Sequence, residues 1–157
     1  MSSNISSIYS TLAAKSFTVN DKAVTGKTGT DVPNQVSGSE PVRVLTSLSE
    51  YLFENVSDAQ VWQTDVGGTV KQMTWQIADL LLVGLAGSNT GPGQFEAHLQ
   101  GYIKDYADML ASDTALASLG AMSVLPTWAC GIYEYPPQSG RWFYGVLVNL
   151  TIVEKWS

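Results

Sequence analysis

The chain has 157 residues and a formal net charge of −6, and only 8 residues are Lys or Arg. This length fits one domain of the usual ~100–200 residues, and a chain so poor in cations lacks the basic stripe that nucleic-acid binding normally needs. Charged residues make up 14 % of the chain and aromatic residues 10 %. The cores of protein interfaces are also poor in charged residues and rich in aromatic ones, so the composition favours self-assembly. The alternative is a monomer with a Ser/Thr/Gln-rich surface.

The first forty residues predict a short helix, a strand or hairpin and a long loop. Ser6–Ala14 fits a short amphipathic helix that buries Ile8 and Leu12, with Ser3, Ser6 or Ser7 as its N-cap. Phe17–Val24 fits a strand or a tight hairpin. The segment 25–40 is rich in Gly, Ser and Thr and contains few large apolar residues, which predicts a long mobile loop.

The middle of the chain predicts strands. A compact strand, Val42–Leu45, follows Pro41, and after a connector over 48–58 a second strand covers Gln60–Asp65. Gly67 and Gly68 then supply a tight turn. In the returning strand Met73, Trp75 and Ile77 share one face. Both faces are apolar from Leu80 to Val83, which predicts burial on both sides.

The last part predicts one helix and one hairpin. A second mobile loop is expected over 84–93, and a helix over Gln94–Ala111 places its apolar side chains on one stripe. A hairpin closes the chain, with its turn at Pro136–Gly140. One face of its first strand holds Met122, Val124, Trp128, Cys130 and Ile132. One face of its second strand holds Trp142, Tyr144, Val146, Val148, Leu150 and Ile152.

Together these elements predict an α+β fold in one domain spanning residues 1–157. We expect a mostly antiparallel or mixed sheet, packed by one long helix and one or two short ones, with a C-terminal β-hairpin. The longest apolar run, Leu80–Ala86, is far shorter than the ~20 residues of a membrane span, and the N-terminus lacks the pattern of a signal peptide. We therefore expect a soluble protein that is intracellular when made and has no membrane partner.

Two residue types with catalytic potential occur once each. His98 lies on the predicted long helix, away from its apolar stripe, and is interpreted as a surface residue. Cys130 lies on the predicted core face of a strand, where a cysteine behaves as a small hydrophobic side chain. The sequence around Cys130 offers no group that would stabilise a thiolate.

Other motifs give weak signals for chemistry. Gly26-Lys27-Thr28 lacks the upstream glycine and the following helix of a phosphate loop. The acidic residues form no Asp-x-Asp-x-Asp metal loop. Asp79 interrupts an apolar strand, and it fits a strand end, an ion pair with Arg43 or Arg141, or a catalytic carboxylate without a visible partner. The sequence therefore predicts no enzyme, cofactor or metal site.

Candidate interface residues concentrate near the predicted turn of the closing hairpin. Aromatic residues and arginine are the usual anchors of protein interfaces, although packing beneath the hairpin is an equal alternative for the turn residues. The candidates are Tyr133, Tyr135, Arg141 and Trp142, together with Arg43 on the early strand.

The order of these features resembles the tail terminator (tail completion) proteins of long-tailed bacteriophages. The similarity rests on the opening helix Ser7–Ala14, the stretch Glu40–Leu45 after the long loop and the strand Trp75–Leu82. It continues with Tyr102 and Tyr106 on the long helix and with the closing hairpin. It covers nearly the whole chain, and its motifs are loose.

The resemblance implies a structural virion protein. It implies a ring, typically a hexamer, that caps the tail tube, ends its polymerisation and joins it to the head connector. The implied partners are other copies of the chain, the tail tube protein and the head-tail connector protein, and DNA would pass through the ring without specific binding. The implied location is the tail or neck of the virion, after synthesis in the host cytoplasm, and the family carries no catalytic residues to transfer.

Two alternatives remain open. The first is another tail or neck component, such as a tail tube subunit. The second is a small ligand-binding or enzymatic α+β domain with a pocket near Asp79, Trp75 and Trp128.

Overall fold

The computed structural model describes residues 4–38, 40–46, 61–64, 71–87 and 93–156. The predicted α+β class is confirmed. The connector 48–58, the Gly67-Gly68 turn and residues 88–92 of the second predicted loop lie outside the described residues. The helices are α1 (Ile5–Ala14), α2 (Gly93–Ser112) and α3 (Thr114–Ser118). The strands are β1 (Phe17–Val19), β2 (Lys22–Val24), β3 (Gly26–Lys27), β4 (Val42–Thr46), β5 (Val61–Thr64), β6 (Lys71–Leu85), β7 (Ala121–Glu134) and β8 (Trp142–Trp156).

Six strands form the main sheet, in the order β3-β4-β6-β8-β7, with β5 paired to β6 beside β4. All the pairings are antiparallel except that of β3 with β4. β6 and β8 form the long centre of the sheet. β7 is an outer strand, because β8 is the one described strand that pairs with it.

The sheet is buried on both faces where its strands are apolar throughout. On one face, called here the helix face, α1, α2 and the β1–β2 hairpin cover an apolar cluster. This cluster includes Leu45, Ile77, Leu81, Val146, Val148, Leu150 and Ile152. The opposite face carries a second cluster, formed by Val36, Val44, Ala78, Leu80, Leu82, Tyr135, Phe143 and Leu147. The prediction that both faces are buried from Leu80 to Val83 is confirmed.

The segment 25–40 is attached to the fold more firmly than the sequence predicted. It forms β3 and a short 3-10 helix, Gly29–Asp31. Val36 is 3 % exposed in the second cluster, and the hydroxyl of Tyr135 donates to the Pro33 carbonyl. Val32 also packs against this cluster, so a few apolar contacts and backbone pairing are enough to pack a segment of polar composition. Its mobility stays a prediction.

The predicted tight hairpin after α1 is confirmed. β1 and β2 pair in antiparallel register, and the turn residues Asn20 and Asp21 have φ angles of 52° and 62°. Asn and Asp tolerate this left-handed conformation better than other non-glycine residues do. The helix before the hairpin is also confirmed, but Asn4, not a serine, occupies its N-cap position.

The long helix is confirmed as α2, with Leu99, Tyr102 and Tyr106 buried on the predicted stripe. The short helix α3 follows at once, because the Asp113 side chain accepts hydrogen bonds from the N–H groups of Ala115 and Leu116. No helix in the described part of the chain is both long and apolar enough to cross a membrane.

The prediction that Cys130 is in the core is wrong. Cys130 is exposed, and Ile132 is 50 % exposed. The reason is the position of α2, which packs on the β7–β8 hairpin but leaves an open cleft of about 490 Å³ between its first turns and these two residues. The alternation of apolar residues along β7 identifies one face correctly, but it does not show where the covering helix ends.

Candidate functional site

The strongest cluster of polar groups in the described residues lies around Arg43 and Asp79. Arg43 on β4 donates from Nε to Asp79 Oδ1 at 2.9 Å and from Nη2 to Oδ2 at 2.7 Å. Both side chains are fully buried. Arg43 is opposite Leu81 and Asp79 is opposite Leu45 in the β4–β6 register, so both side chains point to the helix face. Of the alternatives that the sequence left open for Asp79, the ion pair with Arg43 is the one that forms.

Arg43 also holds the C-terminal end of α1. Its Nη2 donates to the Leu12 carbonyl at 2.9 Å, and its Nη1 donates to the Lys15 carbonyl at 2.8 Å. The last carbonyls of a helix have no partner within the helix, and a cation there also interacts favourably with the helix dipole. One guanidinium therefore joins the sheet to the end of α1.

Aromatic rings enclose the ion pair. Phe17 stacks on Tyr106 with ring centroids 5.1 Å apart, and the Arg43 guanidinium carbon lies 5.1 Å from the Phe17 ring centroid. The Tyr106 hydroxyl donates to Asp79 Oδ2 at 2.6 Å, and Trp128 meets Tyr106 edge to face. These contacts exclude water, so the charges interact in a medium of low dielectric constant.

The buried charges perturb the titration of their neighbours. Burial is the largest single effect and would lower the pKa of Arg43, but the negative charge of Asp79 and its hydrogen bond, together with the nearby Tyr102 and Tyr106, raise that pKa overall. Burial raises the pKa of both Tyr102 and Tyr106 well above 10.0, and the negative charge of Asp79 raises it further. Burial, with a smaller contribution from Asp79, also raises the pKa of Tyr9 to about 12. All three phenols therefore stay protonated at neutral pH.

A second buried carboxylate holds the other end of α1. Glu154 on β8 is 1 % exposed. It accepts hydrogen bonds from the Asn4 backbone N–H and, at 3.0 Å, from Trp75 Nε1. Asn4 occupies the N-cap position of α1, where a negative charge is favoured by the helix dipole. The Asn4 side chain also donates to the Leu119 carbonyl at 2.9 Å, which joins this end of α1 to the segment before β7.

The Arg43 cluster is built to hold the fold together. Asp79 has both oxygens occupied by Arg43 and Tyr106 and has no exposed surface. A substrate would have to displace these groups before it reached the carboxylate. Among the described residues no group of three His, Cys, Asp or Glu side chains could hold a metal ion.

Two of the five predicted interface residues are not available at the surface. Arg43 is buried in the ion pair, and Tyr135 is fully buried beneath the hairpin turn. The predictions for Arg43 and Tyr135 are therefore wrong. In each case the cause is a polar partner inside the chain, Asp79 for Arg43 and the Pro33 carbonyl for Tyr135.

The other three interface candidates remain at or near the surface. Trp142 is 46 % exposed. Arg141 is partly exposed, with its guanidinium carbon 5.5 Å from the Phe143 ring centroid. Tyr133 is partly buried, and its hydroxyl donates to the Ala129 carbonyl. Trp142 is thus the predicted anchor that leaves the most apolar surface uncovered.

The single histidine and the single cysteine lie apart from the Arg43 cluster. His98 is partly exposed on α2. Cys130 borders the cleft beside the first turns of α2, where partial burial and the negative charge of Glu96 raise the pKa of its thiol. A raised pKa lowers the thiolate fraction at neutral pH, so the environment does not activate Cys130 as a nucleophile.

The suggested pocket near Asp79, Trp75 and Trp128 does not form around those three residues. Trp75 lines a cleft of about 770 Å³ between α1 and the sheet, which Ile5, Tyr9 and Leu45 also border. Asp79 is buried and does not border this cleft, and Trp128 packs against Tyr106. The structure therefore separates the residues that the ligand-binding alternative grouped together.

Sequence reasoning missed Tyr106 and Glu154 as members of buried polar clusters. Tyr106 is on the apolar stripe of α2, so its hydroxyl must enter the core with its ring. Glu154 continues the period-two series of inward residues that ends at Ile152. Extending that alternation by one step would have identified a buried carboxylate.

No protein-family model matches this chain, and no curated protein shows significant similarity to it.

Proposed function

We propose that this chain is a structural component of a bacteriophage tail, a terminator that forms a ring on the end of the tail tube. In this proposal the ring stops the tube from growing and presents the surface that joins it to the head connector. The sequence resemblance described above suggests the role. The structural observation that carries it is the apolar surface held at the end of the β7–β8 hairpin.

That surface has a rigid support. Ile132 is 50 % exposed and Trp142 is 46 % exposed. In the β7–β8 register Ile132 is opposite Tyr144 and Glu134 is opposite Trp142. Ile132 and Trp142 are therefore diagonal neighbours on adjacent strands. Tyr135, between the two strands, is fully buried, and its N–H donates to the Arg141 carbonyl at 2.9 Å. Two large apolar side chains on a fixed hairpin are suited to a protein contact, because little entropy is lost when they are covered.

The remaining polar groups of the core support the same role. Arg43, Asp79 and Glu154 bind parts of their own chain. With a net charge of −6 per chain, a ring of these chains would be negative overall, which opposes adhesion of DNA that passes through it. Head-to-tail contacts that close on themselves produce a ring, whereas contacts that do not close produce a filament.

The test is a capping assay with cognate tail tube subunits. Tube length is measured by electron microscopy while the tubes polymerise with and without the protein. We expect shorter tubes with the protein, and Trp142→Ala should restore most of the length. Lys104→Ala, at an exposed position on α2, is the matched control and should cap as the native chain does. Tubes that grow to the same length with or without the native protein would contradict the proposal.

A further inference from the structure

We propose that the outer edge of β7 pairs with the same edge of a second copy of this chain, antiparallel, about a two-fold axis at Cys130. This inference does not depend on the proposed function. It follows from the direction of the backbone groups along β7, from the position of its one proline and from the side chains beside the edge.

The backbone groups of the even-numbered residues of β7 point away from β8. Tyr135 N–H donates to the Arg141 carbonyl at 2.9 Å, and the same register pairs Tyr133 with Phe143 and Gly131 with Gly145. Because backbone groups alternate between the two edges of a strand, the odd residues bond to β8. The N–H and C=O groups of Trp128, Cys130 and Ile132 therefore line the outer edge, where no described strand meets them.

Pro126 sets the limit of the pairing. Like Trp128, Cys130 and Ile132, Pro126 is an even-numbered residue of β7, so its nitrogen faces the outer edge. A proline is tolerated in a sheet at that edge, where no described strand needs its N–H. Pro126 has no N–H to donate, so the regular stretch available to a partner begins after it. A two-fold axis at Cys130 places Trp128 opposite Ile132 of the other copy and Pro126 opposite Glu134 of the other copy. The missing donor thus falls at each end of the shared ladder, not within it.

The side chains beside this edge are compatible with a second copy. Between Ala121 and Tyr133 the strand carries no charged residue, and Glu134 is its one charge. In the antiparallel arrangement the two Glu134 side chains lie at opposite ends of the ladder, so they do not repel each other closely. Trp128 and Ile132, which are on the helix face, become cross-strand neighbours, and aromatic and β-branched side chains form favourable pairs of this kind.

The length of the edge favours self-pairing over pairing with another described edge. β7 spans 14 residues, whereas the described edge strands at the other side of the sheet are short: β3 has two residues and β5 has four. The stretch from Trp128 to Glu134 that Pro126 leaves available is longer than either of these strands, so among them only a second copy of β7 can pair along all of it. The result is a closed pair, and it would make this edge unavailable to any other strand while the pair persists.

Cys130 provides a direct probe, because it is the only cysteine in the chain and is exposed. The two Cys130 residues would form a hydrogen-bonded pair, whose Cα atoms are about 5.5 Å apart in an antiparallel ladder, within reach of a short bismaleimide. We expect the native chain to show a concentration-dependent dimer in sedimentation velocity, and the crosslinker to convert that dimer to a covalent one.

Ile132→Lys should raise the dimer dissociation constant by roughly tenfold or more, since an edge lysine opposes strand pairing. It should reduce crosslinking in proportion. Ala107→Lys, at an exposed position of α2, makes the same change in charge and should leave both measurements as in the native chain. Circular dichroism confirms that each variant is folded. A chain that stays monomeric up to millimolar concentration, or a dimer that neither crosslinks at Cys130 nor responds to Ile132→Lys, overturns the proposal.

Discussion

Arg43 and Glu154 bind opposite ends of the same helix. The Arg43 guanidinium donates to the Leu12 and Lys15 carbonyls at the C-terminal end of α1, and the Glu154 carboxylate accepts from the Asn4 N–H at its N-terminal end. Each charge has the sign that the helix dipole favours at that end. α1 has ten residues, too short to be stable alone in water, so these two buried charges and its three buried side chains must hold it.

Removing the charge of Asp79 should destabilise the fold strongly. In Asp79→Asn the buried Arg43 loses its counter-ion, which typically costs about 3–5 kcal/mol when an ion pair is broken from one side. Urea denaturation measures the loss. The double variant Arg43→Met/Asp79→Leu leaves no unpaired charge, so it should recover part of the loss. It should not recover all of it, because the Lys15 carbonyl loses its Arg43 donor and the Leu12 carbonyl keeps only the Lys15 N–H. An Asp79→Asn variant within about 0.5 kcal/mol of the native chain would show that the pair contributes little.

Glu154→Gln should loosen the first turn of α1. The amide keeps one acceptor but loses the negative charge at the helix N-terminus and must place its N–H₂ group in a buried site, at an expected cost of about 1–3 kcal/mol. Hydrogen exchange should accelerate for the amide of Ile8, which donates to the Asn4 carbonyl at 2.9 Å. Lys155→Gln, at the exposed neighbouring position, is the control. Equal exchange of the Ile8 amide in both variants would contradict the role given to Glu154.

The two buried tyrosines of α2 should respond differently to loss of their hydroxyl groups. Tyr106→Phe removes the donor to Asp79 and should cost about 1.5–3 kcal/mol, the range for a hydrogen bond to a charged group. The Tyr102 hydroxyl has no hydrogen-bond partner among the described residues, so Tyr102→Phe should be nearly neutral or slightly stabilising. Thermal or urea unfolding of the two variants gives the comparison, and a reversed order would show that the polar cluster is centred on Tyr102.

The protein should lose stability in alkaline solution. Burial raises the pKa of Tyr102 and Tyr106 above 10.0 in the folded chain, whereas the unfolded chain releases these protons near pH 10. Above that pH the unfolded state binds fewer protons than the folded state, so the free energy of unfolding falls by about 1.4 kcal/mol per pH unit for each such tyrosine. The stability is complete below pH 10. Tyr102→Phe/Tyr106→Phe should flatten the decline measured by urea titration between about pH 10 and 11, and an unchanged slope would contradict this cause.

The sequence predicted those elements whose residues follow one period over many positions. The apolar stripe of α2 and the alternation in β6 and β8 located these elements because each buries one continuous face. Asp79 was recognised as unusual because a charge interrupts an apolar strand. Its exact environment was not predictable. Tyr106 binds Asp79, and Leu12 and Lys15 bind its partner Arg43, from elements distant in the chain, and single-sequence patterns carry no information on such distances.

The errors have a common physical origin. Arg43 and Tyr135 have the chemistry of interface anchors, and that chemistry serves equally well for hydrogen bonds within the chain. Cys130 follows the apolar alternation of its strand, but the first turns of α2 leave an open cleft beside it. Residue type and period identify which side chains could be buried or exposed. The arrangement of neighbouring elements decides which of them are.

Electron microscopy of the purified protein mixed with cognate tail tubes is the sharpest test of the proposed capping role. We expect a closed ring on one end of each tube, with six-fold symmetry from the resemblance to tail terminators, and no further growth at the capped end. Tube ends without added density, on tubes that keep growing in the presence of the protein, would contradict the capping role.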